Sequence, residues 1–292
     1  MAQVMLGPET AINEEKPDLV MVVGDVNSTL AAAITANKMG VRIGHLESGL
    51  RSHDRSMPEE HNRVLTDALT DHFFITEQSG LDHLRKEGRP EAALHVVGNT
   101  MIDTLVAFEP QVQASPVLQE LGLGEGGHVL MTIHRPATVD VPERLSELLD
   151  LIADVARTRK VVFPIHPRTV KNIESFGLKA KADAIAGLVR TEPLDYFAFQ
   201  KLVATCGFIL TDSGGIQEES TFRRVPCLTL RPNTERPITV TLGSNELVPL
   251  DMDAVRAAIA RIENGTFKKG EVPPLWDGHA TERIIEVLER VL

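Results

Sequence analysis

The sequence has little cysteine and no long apolar run. Its two cysteines, Cys206 and Cys227, lie in apolar stretches without metal-ligand spacing, which argues against a disulfide framework and a zinc site. No stretch approaches the roughly 18 consecutive apolar residues of a membrane span. The first residues lack the basic and apolar regions of a secretion signal. These absences predict a cytoplasmic protein without a membrane partner, whose cysteines are buried free thiols.

Basic residues are also scarce and form no cluster. The 292 residues contain 30 Lys and Arg against 41 Asp and Glu, for a net charge of −11. Nucleic acids and anionic membranes require a local surplus of positive charge, so the composition argues against both as partners. The hydrophobic content of 42% and charged content of 24% are those of a globular protein. The length suggests two domains of roughly 150 residues.

Short runs of Val, Ile and Leu alternate with longer amphipathic stretches, a pattern that predicts an α/β fold with parallel sheets. Strands are predicted at 19–23, 42–46, 72–76, 94–97, 129–133, 161–165, 188–191, 208–211, 227–230 and 246–248. Helices are predicted at 28–38, 59–70, 79–86, 142–156, 195–204, 216–223, 254–263 and 281–292. The stretch 108–127, rich in proline and glycine, indicates a passage between a first domain at 1–108 and a second from 109 onward.

Three acidic positions in the first half follow a predicted strand or begin a helix. Asp25 follows the strand at 19–23, Glu47 follows the strand at 42–46, and Glu59 stands in the first turn of a helix. Each alone also fits a helix cap, a helix-dipole partner or a surface charge. Ligands of open α/β sheets bind where the strands end. Three carboxylates at one sheet edge therefore predict a site in which different carboxyl groups serve as general acid and general base.

The second half contains groups suited to an anion. His134-Arg135 and His166-Pro167-Arg168 follow two successive predicted strands. Ser213-Gly214-Gly215 joins a predicted strand to a helix, where glycines let backbone N–H groups approach a phosphate. Glu219, one turn into that helix, fits either a contact to sugar hydroxyls or a solvated surface charge. Together these positions predict an anion-binding edge in the second domain.

The polar motifs occur in a fixed order along the chain. They are Gly24-Asp25, Glu47-Ser48-Gly49, Pro58-Glu59-Glu60, Gly98-Asn99-Thr100, His134-Arg135, Asp212-Ser213-Gly214-Gly215, Thr234-Glu235-Arg236-Pro237 and Asp277-Gly278. In this order, from about Lys16 to the end, the sequence resembles the non-hydrolysing UDP-N-acetylglucosamine 2-epimerases.

Members of that family have the glycosyltransferase-B architecture, in which two Rossmann-like domains hold the nucleotide sugar in the cleft between them. The resemblance implies this α/β fold, with 1–108 and a returning last helix at 279–292 as one domain and 109–278 as the UDP-binding domain. It implies epimerisation at C2 of UDP-N-acetylglucosamine to UDP-N-acetylmannosamine, by anti elimination of UDP to a 2-acetamidoglucal and re-addition. It further implies a homodimer that serves surface-polysaccharide synthesis, with no cofactor and no metal.

The resemblance also implies roles for individual residues. The catalytic carboxylates are Asp25, Glu47 and Glu59, and His134 assists departure of the diphosphate. The implied UDP contacts are Ser213, Gly214 and Gly215 for the phosphates, Glu219 for the ribose, Arg236 for a further nucleotide contact and Phe199 for the uracil. Leu194 replaces a glutamine found in some members, so the uracil edge is expected to be read through backbone groups.

Several alternatives stay open. Family members begin with a strand and a Gly-Thr-Arg-Pro-Glu turn that nothing before Lys16 matches, so the first domain is expected to lack its N-terminal βα units. A truncated, inactive UDP-sugar-binding protein is one alternative. A 2-epimerase of the same family acting on another UDP sugar, such as a diacetamido uronic acid, is the nearest rival. A hydrolysing epimerase and a glycosyltransferase of the same architecture are the others.

Overall fold

The computed structural model describes residues 1–292, and ten of its segments are β-strands. They are β1 Leu19–Val23, β2 Arg42–Leu46, β3 His72–Ile75, β4 Leu94–Val96, β5 His128–Thr132, β6 Lys160–Pro164, β7 Leu188–Thr191, β8 Phe208–Thr211, β9 Cys227–Thr229 and β10 Asn245–Leu247. Every predicted strand is confirmed, with ends displaced by at most one residue. Each apolar run is one buried strand long, which is why its position is readable from the sequence.

Sixteen helices connect or flank these strands. They are α1 Ala2–Glu15, α2 Asn27–Lys38, α3 Pro58–Leu69, α4 Gln78–Lys86, α5 Thr100–Ala107, α6 Glu109–Ala114, α7 Val117–Glu120, α8 Pro136–Val139, α9 Pro142–Val155, α10 Pro167–Ser175, α11 Lys179–Asp183, α12 Tyr196–Thr205, α13 Gly215–Phe222, α14 Pro237–Thr241, α15 Met252–Glu263 and α16 Ala280–Val291. A single 3-10 turn covers Glu91–Ala93. None of these helices has the length and apolar character needed to cross a membrane.

The chain divides into two units. Unit 1 comprises Met1–Val106, Glu235–Ile238 and Pro273–Leu292, and unit 2 comprises Ala107–Thr234 and Thr239–Val272. The prediction placed residues 235–238 and 273–278 in the second domain, whereas the structure groups them with unit 1. The stretch 108–127 was interpreted as a passage, but it contains α6 and α7, and the latter packs into the core of unit 2 through Val117. Its prolines stand at helix starts, where the missing N–H of proline costs no hydrogen bond within the helix.

Unit 1 is built on a four-stranded parallel sheet in the order β1-β2-β3-β4. Val23 pairs with Leu46, and Leu46 pairs with Phe74, so the carboxyl ends of β1, β2 and β3 lie side by side. Helices α1 and α2 cover β1 and β2. In β3, Phe73 packs against α4, whereas Phe74 packs against α16 on the other face. The helices pack on the faces of the sheet, and the polar loops lie at the edge formed by the carboxyl ends of the strands.

Unit 2 contains a six-stranded parallel sheet in the order β10-β9-β8-β5-β6-β7. Val129 and Met131 of β5 face one hydrophobic cluster, and Leu130 between them faces a second, so helices cover both faces, as in doubly wound α/β proteins. The chain leaves β5 in one direction to form β6 and β7 and later returns to form β8 on the other side. The carboxyl ends of β5 and β8 are thus a topological switch point, where such sheets bind ligands.

Both cysteines lie in the core of unit 2. Cys206 and Cys227 are buried and free, as the sequence predicted. Burial raises the pKa of the Cys227 thiol to about 11 and raises that of Cys206 further. Both thiols are therefore neutral packing groups at physiological pH.

The end of the chain packs on unit 1. The indole Nε1 of Trp276, the single tryptophan of the chain, donates to the carbonyl of Thr76 at 3.2 Å, and its side chain is buried. Helix α16 follows, and Asp103 accepts hydrogen bonds from the amides of Ala280 at 3.0 Å and Thr281 at 2.6 Å. This carboxylate satisfies N–H groups that a helix start leaves without partners.

Two glycines allow close approaches within unit 1. Gly49 has a φ of 81°, and a Cβ there would lie 2.3 Å from the carbonyl oxygen of Gly80 at the start of α4. Gly98 has a φ of 89°, and a Cβ there would lie 2.2 Å from the carbonyl oxygen of Leu275. Any side chain would push these backbones apart, so both positions require glycine.

Acid is expected to destabilise unit 1 through a histidine pair. The rings of His72 and His95 stack with their centroids 5.8 Å apart. Burial lowers the pKa of both rings; Arg42 adds to this at His72, whereas Asp71 opposes it, and at His95 the neighbouring ring and Arg290 add to it. Below the ordinary histidine pKa of about 6.5, the unfolded chain binds protons that the folded unit does not. The contribution of this histidine pair to the free energy of unfolding therefore falls as the pH falls.

The measurement is urea unfolding followed by Trp276 fluorescence at about pH 7.5 and pH 5.5. His95→Phe keeps the ring stack with Phe74 and His72, and we expect its free energy of unfolding at the lower pH to rise relative to that of the parent chain. His61→Gln, at an exposed position, serves as the control. Equal changes of stability with pH in the parent and in His95→Phe would contradict the assignment.

Candidate active site

The turns after β1 and β2 place two predicted carboxylates at one edge of the sheet in unit 1. Asp25 follows Gly24, whose φ of 65° turns the chain sharply. Glu47 directly follows β2 and has a φ of 65° itself, a conformation that costs about 1–3 kcal/mol for a residue with a side chain. His45 joins the two turns, because its Nε2 lies 2.9 Å from the carbonyl oxygen of Gly24.

A buried aspartate holds the loop after β2. Asp67 of α3 lies 2.7 Å from His45 Nδ1 and accepts a 3.0 Å hydrogen bond from the amide of Gly49. Arg51 Nη1 lies 2.7 Å from the same carboxylate. Burial opposes ionisation of Asp67, but the His45 hydrogen bond and the charge of Arg51 outweigh it and keep its pKa below the ordinary value. These contacts explain how the strained backbone at Glu47 is maintained.

Ion pairs connect Asp25 to Glu47 through the segment Glu235–Ile238. Arg63 pairs with Asp25 and lies 3.9 Å from Glu235 Oε1. Arg236 pairs with Glu235, and its Nη2 lies 3.5 Å from Glu47 Oε2. The alternating charges link the two predicted carboxylates by side chains that are mostly buried. Arg236, expected at the nucleotide, lies in this network.

The adjacent acids Glu59 and Glu60 have different environments. Glu60 is buried and accepts hydrogen bonds from the amide and hydroxyl of Ser52, at 2.8 and 2.9 Å, and from the amide of His53 at 2.9 Å. Burial opposes its ionisation, but these bonds and the charge of Arg63 hold its pKa below the ordinary value. Glu60 therefore fixes the 51–53 loop. Glu59 is half-buried in the first turn of α3 and is the acid of this pair available for chemistry.

A third strand end carries an acid that the sequence analysis did not single out. Glu77 follows β3 and is 3% exposed. Its Oε1 accepts a hydrogen bond of 2.5 Å from the Ser79 hydroxyl, and its carboxyl also accepts from the amide of Ile238. Burial raises its pKa from 4.5 to about 7, against the opposing effects of these bonds and of Arg236.

The predicted histidine of unit 2 stands at the switch point. His134 follows β5, and its Nδ1 lies 3.0 Å from Asp212 Oδ1, which follows β8. The His134 side chain is 45% exposed, whereas that of Asp212 is buried. His166 lies nearby, with its ring centroid 6.1 Å from that of His134. The arginine of the second His-Arg motif does not join them, because Arg168 pairs with Asp140.

The start of α13 is the predicted phosphate-binding turn. The amide of Ser213 donates to Thr211 Oγ1 at 2.9 Å, and Gln217 Nε2 donates to the Ser213 carbonyl at 3.2 Å. Gly214 caps the helix with a φ of −74°, so its conformation alone does not demand glycine. The next N–H groups of the helix start and the helix dipole suit an anion.

A cavity of about 330 Å³ opens beside His134 in unit 2. Its apolar wall includes Phe199 and Leu194, and His166 forms part of its rim. Burial raises the pKa of Glu219, one turn into α13, above its ordinary value. No group of three or more His, Cys, Asp or Glu side chains is arranged to hold a metal ion.

The predicted site residues therefore form two groups, one in each unit. Asp25, Glu47 and Arg236 are joined in unit 1, where Glu59 begins the neighbouring helix. His134 and Phe199 border one cavity in unit 2, where Ser213, Gly214, Gly215 and Glu219 lie at or near the start of α13. Sequence reasoning assigned no role to Arg63, Glu77, Asp212 or Glu235. Asp212 directly follows β8 and Glu77 stands two residues after β3, and those positions were a usable signal.

Known proteins are similar to this chain in sequence and in fold. A family model described as UDP-N-acetylglucosamine 2-epimerase matches residues 1–289. A UDP-N-acetylglucosamine 2-epimerase from Methanocaldococcus jannaschii is 37% identical over 98% of this chain and 79% of its own length. The UDP-2,3-diacetamido-2,3-dideoxy-D-glucuronate 2-epimerase of Pseudomonas aeruginosa is 37% identical over 99% and 79%.

Solved structures agree with these relatives. The crystal structure of the Methanocaldococcus jannaschii UDP-GlcNAc 2-epimerase in complex with UDP-GlcNAc and UDP has a TM-score of 0.86 and 36% identity. The match covers 99% of this chain and 80% of that one. Sequence, sheet topology and these similarities lead to one assignment: this chain belongs to the UDP-N-acetylglucosamine 2-epimerase family.

Proposed function

We propose that the protein interconverts UDP-N-acetylglucosamine and UDP-N-acetylmannosamine by inverting C2. The observation that carries this proposal is the match to 2-epimerases of UDP-2-acetamido sugars along nearly the whole chain. The cycle removes the C2 proton as the C1–O bond breaks, so that a C1–C2 double bond forms and UDP leaves with the electron pair. Return of UDP to C1 and of a proton to the opposite face of C2 gives the epimer.

This chemistry needs an acid and a base on the two faces of the sugar. Unit 1 supplies Asp25, Glu47 and Glu59, of which the first two stand at adjacent strand ends. Direct removal of the weakly acidic C2 proton would be slow, and coupling it to departure of UDP lowers the barrier. The carboxylates are matched to proton transfer because they change between charged and neutral forms. The reaction is redox-neutral and calls for no cofactor and no metal.

Unit 2 supplies the groups suited to UDP. In our proposal, Phe199 stacks on the uracil within the cavity beside His134, and the turn Ser213-Gly214-Gly215 at the start of α13 binds the diphosphate. Glu219 accepts hydrogen bonds from the ribose hydroxyls. Arg236 offers five N–H donors, so it can contact the nucleotide while it pairs with Glu47 and Glu235. A homodimer, cytoplasmic location and a role in surface-polysaccharide synthesis belong to the same proposal.

Another UDP sugar is the second candidate substrate. The Pseudomonas aeruginosa relative, whose name specifies a diacetamido glucuronate, is as similar as the Methanocaldococcus jannaschii enzyme, at 37% identity each. The residues named above are proposed to contact the diphosphate and C2, not the C3 and C6 positions of the sugar at which the two substrates differ. Activity on both UDP sugars therefore has to be compared directly.

The test is proton NMR of the purified protein with UDP-N-acetylglucosamine in D2O. We expect deuterium at C2 of both UDP sugars and growth of UDP-N-acetylmannosamine signals. Free N-acetylmannosamine would instead identify a hydrolysing enzyme, and UDP binding without C2 exchange would overturn the epimerase proposal for this chain. A parallel sample with the diacetamido glucuronate sugar decides between the two substrates by the ratio of kcat/KM values.

A further inference from the structure

We propose that Asp212 is a positioning residue that fixes the ring of His134, with Nδ1–H directed to the carboxylate and Nε2 left for the leaving diphosphate. The part of this inference that concerns the diphosphate rests on the proposed function. The orientation and the protonated ring nitrogen follow from the geometry of unit 2 alone.

Four contacts join Asp212 to the end of β5. Its carboxylate accepts from the amide of His134 at 3.2 Å to Oδ1 and 3.0 Å to Oδ2, and from the amide of Arg135 at 2.7 Å. The fourth contact is the 3.0 Å approach of His134 Nδ1 to Oδ1. The amide of Asp212 donates to the carbonyl of Thr132 at 3.1 Å, which continues the pairing of β5 with β8. Backbone and ring are thus held by one side chain.

The distance between Nδ1 and Oδ1 determines which ring nitrogen carries the proton. An ionised carboxylate presents only lone pairs, and an unprotonated Nδ1 at 3.0 Å from Oδ1 would place its own lone pair against them. Nδ1 of His134 therefore carries a proton in both the neutral and the charged ring. Nε2 is the nitrogen left for a ligand, because the side chain is half open to the cavity that Phe199 borders.

This orientation suits the proposed departure of UDP. As the C1–O bond breaks, negative charge grows on an oxygen of the β-phosphate, and Nε2–H of the charged ring donates a hydrogen bond to it. Asp212 balances the positive charge of the ring from the other side. If the ring were free to rotate or to exchange tautomers, part of the population would present the wrong nitrogen, and kcat would fall with little change in UDP affinity.

The first test reads the tautomer without substrate. Long-range nitrogen–proton NMR of the full chain with labelled histidine, at about pH 8 where ordinary histidines are neutral, separates the two nitrogens of each ring. The chain has 10 histidines, so the His134 signals are assigned as those missing from His134→Gln. We expect a protonated Nδ1. A neutral His134 ring with its proton on Nε2 would overturn the proposal, whether or not the protein epimerises anything.

The second test uses substitutions. We expect Asp212→Asn to lower kcat for C2 exchange by about 10²-fold or more, to change the His134 tautomer signals, and to leave the Kd for UDP within about threefold. His134→Asn places an amide N–H near the position of Nδ1–H but lacks Nε2; it should remain folded and lose kcat. Asp140→Asn, which removes a half-buried acid paired with Arg168, is the matched control.

The outcomes separate this inference from the proposed function. Unchanged kcat and tautomer in a folded Asp212→Asn protein would contradict the positioning role. If Asp212→Asn does not fold, the His134 tautomer measured in the parent chain still decides whether the positioning role holds. An Nδ1–H tautomer in a parent chain that shows no C2 exchange would support the positioning of His134 while rejecting the epimerase proposal.

Discussion

Glu47→Gln is expected to lower kcat for C2 epimerisation by about 10²–10⁴-fold, the usual loss when a general acid or base is removed. Glutamine keeps the shape of the side chain and its contact to Arg236 but can neither accept nor release the C2 proton. The structure favours Glu47 for this test because its backbone is held in the left-handed region, with a φ of 65°. Such strain at a non-glycine residue is typical of functional positions.

The measurement is the rate of C2 deuterium uptake, together with UDP affinity by calorimetry. A catalytic role predicts a loss of kcat with the Kd for UDP changed by less than about threefold. Glu289→Gln, at an exposed position of α16, controls for charge. A kcat within a few-fold of the parent would exclude Glu47 from proton transfer. Equal losses of kcat and UDP affinity would assign it a structural role instead.

Raising the pH from about 5 to 8 is expected to cost unit 1 roughly 2–3 kcal/mol through Glu77. Burial raises the pKa of this carboxyl from 4.5 to about 7. The neutral form is therefore favoured in the folded unit more than in the unfolded chain. That stabilisation is complete below the unfolded pKa and is lost as the pH rises through the folded one. The linked free energy is large because Glu77 is only 3% exposed.

Glu77→Gln should abolish this dependence. A glutamine oxygen can accept the hydrogen bonds of Ser79 and Ile238, and its amide nitrogen would replace Oε2, which has no hydrogen-bond partner. Trp276 reports the unfolding of unit 1 by fluorescence, since its Nε1 donates to the carbonyl of Thr76, next to Glu77. The variant should gain roughly 2–3 kcal/mol over the parent between pH 5 and 8.

Glu286→Gln, at an exposed position of α16 in the same unit, is the control for removing one negative charge. Its difference from the parent should stay within about 0.5 kcal/mol at both pH values. Parallel pH profiles for Glu77→Gln and the parent would show that the Glu77 carboxyl is not perturbed. Loss of stability at both pH values would indicate that Oε2 makes a contact that glutamine cannot replace.

Local sequence patterns predicted the strands well and some helices poorly. Helix α10 begins at Pro167, and Nδ1 of His166 accepts a hydrogen bond from the amide of Arg168 at its start. This helix was not among those predicted, although proline is favoured at the first position of a helix. Helix α7 was also missed, because Pro116 precedes it. Proline excludes a helix interior but not a helix start.

The candidate site was predictable in its residue types and only partly in its contacts. Asp25, Glu47 and His134 follow strands, and strand ends of a parallel sheet converge on one edge. Their positions could therefore be inferred without a structure. The difference between Glu59 and Glu60 could not, because both suit a first helical turn and only the hydrogen bonds from Ser52 and His53 distinguish them.

The sequence by itself determined the two parallel sheets, the order of their elements and the family, because apolar periodicity and ordered motifs are local properties. The tertiary structure alone decided which side chains meet. Arg63 pairs with Asp25, Asp212 holds His134, and residues 235–238 join unit 1. The first two pairs are separated by 38 and 78 positions along the chain. Their contacts arise from strand order and helix packing, which bring distant residues together at a few ångströms, where burial and charge set their chemistry.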